Sequence, residues 1–261
     1  MGTLIENNRE RFIELLKNNV TRVTQEQLDS LISFLDTNGF FIAPASSQYH
    51  SAFDGGLCAH SLNVFDSMSV LVNNHVATAG ITVESVTIVT LLHDVDKMWT
   101  YVKGVKNEKV YKENGSKSDE LGRFDWESKV VWTREKPENK FSIGTHGQNC
   151  AYIASKFIPL SDEEYAAILN HMGGLEEGAV TGKNVSEVFN KYRLASLLHV
   201  ADMLSTYLSE NVTHQWCSVA CEDSVEKERI KNENPDEIPF ENFTEDMYES
   251  CTKNGNGTVN G

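Results

Sequence analysis

The stretch TLLHDVDKMW, positions 90–99, decides the fold, because four charged or titratable side chains directly follow an apolar run. The preceding letters, VTIVTLL, predict a buried helix, and His93, Asp94, Asp96 and Lys97 stand at or just beyond its end. A buried carboxylate or imidazole is costly unless it is paired or bound to a metal ion. We therefore expect the rest of the chain to supply partners for these groups.

Two other apolar helices carry polar side chains in the same way. Asp202 lies within LLHVADMLSTYL, and His60 lies within GGLCAHSLNV. His146 at one helix start and His171 at the end of the next extend the set to six. One or two divalent transition metal ions (manganese, nickel, cobalt, iron or zinc) would satisfy all of them, since ligands from separate helices often meet in a bundle core.

The other histidines are not predicted as ligands. His199 comes three residues before Asp202 and is expected to support that face of the helix. His50, His75 and His214 stand in loop, polar or terminal contexts.

Helical periodicity dominates the chain outside one region. It predicts helices over 4–18, 25–38, from 56 onward, and over 82–92, with Thr145 and Ser161 as later N-caps. A last helix over 192–208 is apolar almost all round and is predicted to be buried.

The helical pattern stops between positions 99 and 143. The segments TYVKGV, KVYK and SKVVWTRE are rich in Val, Tyr and Trp and predict short strands. The fold is therefore predicted to be mainly α, a helical bundle with a short β-hairpin insertion. We expect N-terminal helices over 1–48 packed on a core domain over 49–221, followed by an acidic tail over 222–261.

Composition narrows the classes of function. The chain has 261 residues and a formal charge of −15, and its last forty residues hold eleven acidic and four basic side chains. A net-negative body argues against duplex nucleic acid as the main partner. No apolar run approaches the roughly 18 residues that a membrane-spanning helix needs, and the five cysteines have no paired spacing. We expect a cytoplasmic protein with no membrane partner.

The order of His60, His93-Asp94 and Asp202 resembles the HD-domain superfamily of metal-dependent phosphohydrolases. GGLCAHSLNV is similar to the Gly-Gly-Leu-Leu-x-His-Ser-Leu segment of many members, and LLHDVDK to their Leu-His-Asp-Ile-Gly-Lys. The segment 145–174 and LLHVADMLSTYL resemble a small bacterial and phage branch. The pattern PAS...YH...GGL...H also resembles the lead-in of HD-type 3'-to-5' exoribonucleases.

The resemblance, which covers about Leu28 to Leu208, implies an HD-domain bundle and a catalytic site. His60, His93, Asp94 and Asp202 would hold the metal, and His146 and His171 would complete a second position. Asp94 is expected to bridge two ions, and Lys97 to neutralise a substrate phosphate. The substrate would be small and phosphorylated: a nucleotide, a cyclic nucleotide or a short single-stranded oligonucleotide.

Further substrate contacts are expected from basic and aromatic side chains. Arg134, Arg193 and Lys103 are candidates for phosphate contacts. The aromatic residues of the insertion could wall a pocket and stack a base, or form a small satellite core. They are Trp99, Tyr101, Trp126 and Trp132.

Two departures from the family pattern leave alternatives open. Asp96 stands where many members have Gly, next to Lys97, and Met172 follows His171 where a second His is often found. We expect Asp96 to weaken or redirect the phosphate contact of Lys97. The six ligands also fit a di-iron oxygenase acting on a small polyol or phosphonate. A third alternative is a non-catalytic nucleotide-binding module. The oligomeric state is left open.

Overall fold

The computed structural model describes residues 3–74, 78, 80–136, 141–175 and 181–210. In the last of these ranges, side chains are described from residue 185 onward. The chain divides into two units, Met1–Val212 and Thr213–Gly261, and the second lies outside the described residues. The predicted acidic tail and His75 and His214 also fall outside them.

The described part is mainly α-helical with one small sheet, as the sequence predicts. Its eight α-helices, α1 to α8 in order, are Leu4–Asn19, Gln25–Thr37, Gly56–Asn74, Val83–Leu92, His146–Ser155, Asp162–Asn170, Thr181–Lys191 and Arg193–Leu204. Short 3-10 helices cover Val95–Trp99 and Gly173–Leu175, and a π-helical turn covers Ser205–Ser209. None of the helices in the described ranges is both long and apolar enough to cross a membrane.

Side-chain caps fix where several helices begin. Thr145 caps α5 and Ser161 caps α6, each by a reciprocal capping box, as the sequence predicts. Thr3 and Thr24 form the same motif at the starts of α1 and α2. These caps satisfy backbone N–H groups that have no partner within the helix.

One hydrophobic core joins the N-terminal helices to the rest. Phe12 of α1 and Leu31 of α2 are fully buried in the same cluster as Leu57 of α3 and Ile88 of α4. Residues 86–92 of α4 are buried in succession, so this helix runs through the centre of the core. The polar groups that follow α4 are therefore delivered to the interior.

A tight turn sets the start of α3. Gly55 has φ +84°, a conformation that L side chains rarely adopt. A Cβ on Gly56 would lie 1.9 Å from the carbonyl oxygen of Ser51, so the backbone approaches too closely for any other residue. Ser51 itself has φ +45°. The turn fixes the direction of the helix that carries His60.

The insertion contains three strands, one more than the predicted hairpin. β1 (Tyr101–Tyr111) pairs antiparallel with β3 (Gly122–Arg134), and β2 (Lys117–Asp119) pairs with the other side of β3. Tyr101 lies opposite Arg134, at the end of the sheet where β1 leaves the Val95–Trp99 helix. The sheet thus starts immediately after the central polar residues.

The last long helix corrects one expectation. The sequence predicts a buried helix over 192–208, and α8 with the π-helical turn after it covers 193–209, but this helix has one exposed side. Leu198 and Ala201 are buried, whereas Val200 and Met203 are 44% and 38% exposed. The helix packs on α3 and α6 through one face only, and its apolar composition alone does not reveal that.

Candidate metal centre

The six predicted ligands come together in the interior. His60 comes from α3, the His93-Asp94 pair from the end of α4, and Asp202 from α8. His146 is the first residue of α5, and His171 caps the end of α6. The cluster thus takes side chains from five of the eight described α-helices, so it forms only when these helices pack together.

The first group of the cluster is made by His60, His93 and Asp202. His60 Nε2 lies 3.3 Å from His93 Nε2 and 3.3 Å from Asp202 Oδ1. His60 and His93 are fully buried, and the Asp202 side chain is 14% exposed. These three residues form one of the sets whose ligand atoms are close enough to share an ion.

The second group is made by Asp94, His146 and His171. Asp94 Oδ1 lies 2.7 Å from His146 Nε2 and 3.4 Å from His171 Nε2. Asp94 and His171 are buried, and the His146 side chain is 19% exposed. This is another set that could hold an ion.

Asp94 belongs to both groups through its two oxygens. Oδ1 faces the second group, while Oδ2 lies 3.3 Å from His60 Nε2 and 3.6 Å from His93 Nε2. A carboxylate in this position can bridge two neighbouring ions. The expectation that Asp94 bridges two ions stays a prediction.

The donor set fits divalent metal ions. Two atoms that are each about 2.1 Å from one ion, at angles of about 90–109°, lie roughly 3.0–3.4 Å apart. The separations of 3.3 and 3.4 Å around His60 and His171 fall in that range. His171 Nε2 is also buried without a hydrogen-bond partner among the described residues, which is costly unless a ligand occupies it.

Two of the imidazoles are oriented by main-chain carbonyls. His93 Nδ1 donates to Thr90 O at 2.8 Å, and His171 Nδ1 donates to Ile168 O at 2.7 Å. A carbonyl can only accept, so each Nδ1 carries the proton and each Nε2 presents its lone pair to the cluster. Both histidines use the last turn of their helix, where carbonyls lack partners within the helix.

The other two imidazoles are oriented by buried carboxylates. His60 Nδ1 lies 3.0 Å from Glu210 Oε1, and Glu210 also accepts from Ser51 Oγ and Asn63 Nδ2. Carboxylates that bond the far nitrogen of a metal-binding histidine fix its ring and raise its basicity. The sequence reasoning missed Glu210, because a Glu in a polar segment after a helix carries no local signal of burial.

Asp96 plays the same part for His146, and the expectation that it weakens or redirects the phosphate contact of Lys97 stays a prediction. Asp96 Oδ1 lies 2.6 Å from His146 Nδ1, and Oδ2 accepts from Asn149 Nδ2 at 3.0 Å. The 3-10 helix thus presents this carboxylate to two side chains of α5. The signal was present, since an acidic side chain buried beside two ligands needs its own partner.

Lys97 pairs with the shared carboxylate. Its Nζ lies 2.6 Å from Asp94 Oδ2, and its side chain is 16% exposed. Burial opposes its charge, but Asp94 and Asp202 outweigh burial, and the pKa of Lys97 lies above its usual value. Lys97 is therefore a permanent positive charge at the edge of the cluster.

The surroundings shift the pKa values of the neighbouring His60 and His93 in opposite directions. Burial lowers the pKa of His93 to about 4. Burial acts the same way on His60, yet the charges of Glu210, Asp202 and Asp94 prevail and hold its pKa well above the usual value. The carboxylates therefore concentrate negative charge where a cation would bind.

Two histidines that were not predicted as ligands lie beside the cluster. The ring of His50 packs against that of His60, with centroids 5.1 Å apart, and its Nε2 is buried without a hydrogen-bond partner in the described ranges. His199 Nδ1 donates to His171 O at 2.6 Å. His199 thus supports the second group rather than the face of Asp202.

The predicted phosphate contacts do not all reach the cluster. Arg193 begins α8 nine residues before Asp202, which is about 13 Å along the helix axis. Lys103 pairs with Asp54 at 2.6 Å. Arg134 lines a separate cleft beside the sheet.

The predicted aromatic wall is divided in the structure. Trp99 packs against Phe141 in the core and donates to Asn38 Oδ1. Trp126 packs on Phe124 within the sheet. Tyr101 and Trp132 line the same cleft as Arg134.

Comparisons were made with protein-family models, curated proteins and solved structures. None of the three gave a match.

Proposed function

We propose that the chain is a metal-dependent phosphohydrolase of the HD type. It would cleave a phosphomonoester or phosphodiester bond in a nucleotide, a cyclic nucleotide or a short oligonucleotide. The observation that carries the proposal is Asp94, whose two oxygens face two separate groups of imidazole and carboxylate donors. Such a shared carboxylate is typical of two-metal hydrolytic sites.

The chain's own residues have distinct parts in this reaction. His60, His93 and Asp202 would hold one ion, His146 and His171 the other, with Asp94 between them. When bound, such ions lower the pKa of coordinated water to about 7 and polarise a phosphoryl oxygen. Lys97 adds a fixed positive charge beside Asp94, where it would stabilise charge that develops on the phosphate.

The burial of the donors supports hydrolysis of a small or flexible substrate. His60, His93 and His171 are fully buried, and the partly exposed side chains of the cluster are Asp202, His146 and Lys97. A substrate phosphate would approach from the side of these three residues. The low exposure of the Lys97 side chain, 16%, strengthens its electrostatic effect, because little water screens its charge.

The first experiment is elemental analysis of the full chain purified without chelator. It is run beside a panel of aryl phosphodiesters, nucleoside phosphates and short RNA with added manganese, nickel or cobalt. We expect about two metal ions per chain and phosphate-ester cleavage. Two iron ions with substrate-dependent oxygen uptake and no cleavage would indicate the oxygenase, and full metal without turnover would indicate a binding module.

Matched variants test the ligand assignment. His93→Ala and Asp202→Ala should each abolish tight metal binding, whereas Asp66→Asn should retain it. Asp66 is a half-exposed carboxylate on the same helix as His60, paired with Arg11. A folded Asp202→Ala protein that kept its full metal content would overturn the assignment.

A further inference from the structure

His50 contacts the metal centre, and the proposed function gives it no part. Its ring packs against that of His60, with centroids 5.1 Å apart. One of its ring nitrogens lies within 4.8 Å of a nitrogen of His60 and of a carboxylate oxygen of Glu210. Its Nε2 is buried and has no hydrogen-bond partner among the residues that the structure describes. A buried polar atom of this kind is costly unless a ligand satisfies it.

The turn that carries His50 is held on both sides. Ser46 Oγ donates to the carbonyl oxygen of His50 at 2.8 Å and accepts from Tyr49 N at 2.9 Å. On the other side, Ser51 Oγ donates to Glu210 Oε2 at 2.7 Å. Ser51 also keeps φ +45°, a strained conformation for a residue other than glycine. Such strain persists only where the surrounding structure imposes it, and it clusters at ligand-binding and active sites.

The bonds of its neighbours argue against His50 as a further metal ligand. The donor atoms of His50, His60 and Glu210 are close enough to share an ion. However, His60 Nδ1 already bonds Glu210 Oε1 at 3.0 Å. Glu210 also accepts from Ser51 and Asn63. An ion at this position would break that network, so Nε2 of His50 is left for a different ligand.

The charges around His50 favour an anionic ligand. Burial is the main cause that lowers the pKa of His50 to about 4, and the positive charges of His60 and Lys97 act in the same direction. Lys97 affects the pKa of His50 more than Glu210 does, so its ammonium group is a close neighbour of the ring. The imidazole is therefore neutral near pH 7 and can carry its one proton on Nε2. An anion beside Lys97 would accept that proton in a hydrogen bond.

We propose that His50 is a substrate-binding residue of the metal centre, whose Nε2 donates a hydrogen bond to a phosphoryl oxygen beside Lys97. The inference rests on the proposed function, because it takes the substrate to be a phosphate ester. Lys97 neutralises charge on the phosphate, and His50 fixes the orientation of the phosphoryl group. A hydrogen bond to a charged oxygen is stronger than one between neutral groups, so its loss is measurable.

The test compares two substitutions that separate the nitrogen from the ring. His50→Phe keeps a ring against His60 but removes Nε2, whereas His50→Gln loses the ring and places an amide N–H near the position of Nε2. Binding of inorganic phosphate to the full chain loaded with manganese is measured by calorimetric titration. His50→Phe should weaken phosphate binding about 10- to 100-fold, as expected for one hydrogen bond to a charged group. His50→Gln should retain most of the affinity.

Elemental analysis of each variant accompanies the titration, and both variants should keep the metal content of the wild type. Tyr49→Phe is the control, because Tyr49 is an exposed neighbour on the same turn, and it should change neither metal content nor phosphate affinity. Wild-type affinity in His50→Phe with weaker binding in His50→Gln would mean that the ring only packs on His60, and would overturn the proposal. Loss of metal from His50→Phe would overturn it as well.

The two proposals fail in different ways. Metal binding and phosphate-ester hydrolysis that His50→Phe leaves unchanged would refute this inference alone. A wild-type chain that holds no metal ion, or that binds phosphate equally well in excess chelator, would refute the proposed function and this inference with it.

Discussion

Asp96 Oδ1 lies 2.6 Å from Nδ1 of His146, on the side of the ring opposite to Asp94. The imidazole is thus held between two carboxylates. Burial opposes its charge, but the hydrogen bonds to Asp94 and Asp96 prevail, and the pKa of His146 lies well above its usual value. Asp96 therefore places a second negative charge against the ring of His146, behind the second group.

The first prediction concerns Asp96→Asn, which keeps the shape of the side chain but removes its charge. We expect affinity at the second group to fall about 10- to 100-fold, because the ring of His146 loses its negatively charged partner. Elemental analysis after dialysis should find about one metal ion per chain instead of two. Asp119→Asn, which removes an exposed carboxylate of the sheet, should keep both. An Asp96→Asn protein with two tightly bound ions would contradict this role.

A second prediction concerns Glu210→Gln. The change removes the charge beside His60 Nδ1 while leaving groups that can bond Ser51 and Asn63. Metal affinity at the first group should fall about 10- to 100-fold, since the ring loses basicity and fixed orientation. Calorimetric titration with manganese should show the weakened step, with Asp66→Asn as the unaffected comparison. Unchanged titration curves would mean that Glu210 only fixes the π-helical turn after α8 against α3.

The third prediction concerns stability and the buried pair of Arg22 and Glu164. Arg22 bonds both oxygens of Glu164, at 2.7 and 2.8 Å, and the Glu164 side chain is 1% exposed. Arg22→Met should lower the free energy of unfolding by about 2 kcal/mol, because it leaves a buried carboxylate without its partner. Urea denaturation measures this loss. Arg9→Met, which breaks a half-exposed pair with Asp36, should cost about 0.5 kcal/mol.

The same pair predicts a pH dependence. Burial raises the pKa of Glu164, but Arg22, Ser161 and Ser85 outweigh burial and hold it below the ordinary value of 4.5. A depressed folded-state pKa gives stability that is present above pH 4.5 and is lost as the pH falls through that lower value. Glu164→Gln should therefore be less stable than the wild type at pH 7, and the difference should shrink on acidification. A difference that stayed constant down to pH 3 would exclude this linkage.

The fourth prediction concerns the turn before α3. Gly56→Ala should destabilise the protein by about 2 kcal/mol, since the added Cβ would lie 1.9 Å from the Ser51 carbonyl and the backbone must move. Thermal unfolding would show the loss as a lower midpoint. Gly174→Ala places its Cβ in open space and should have little effect. Equal midpoints for the two variants would refute the close approach of Ser51.

The features that could be predicted from the sequence are those that depend on the pattern of neighbouring residues. The six clustered donors were identifiable because each interrupts an apolar helix or stands at a helix end, and the Thr145 and Ser161 caps follow fixed spacings. Glu210 was not identifiable, because its burial depends on the path that brings the end of α8 back to Ser51 and Asn63. The exposed side of α8 was missed for a related reason, since apolar content does not say how many faces a helix packs.

The span of the cluster along the chain has a consequence for how the protein is made. His60 emerges first, but Asp202 and Glu210, whose charges hold it in place, are synthesised about 150 residues later. Until then the growing chain carries His60 and His93 with Asp94 as the one carboxylate of their group that has been made. The first group of donors, with the Glu210 that orients His60, is therefore complete only when synthesis has passed residue 210, long after the helices that carry His60 and His93 have been made.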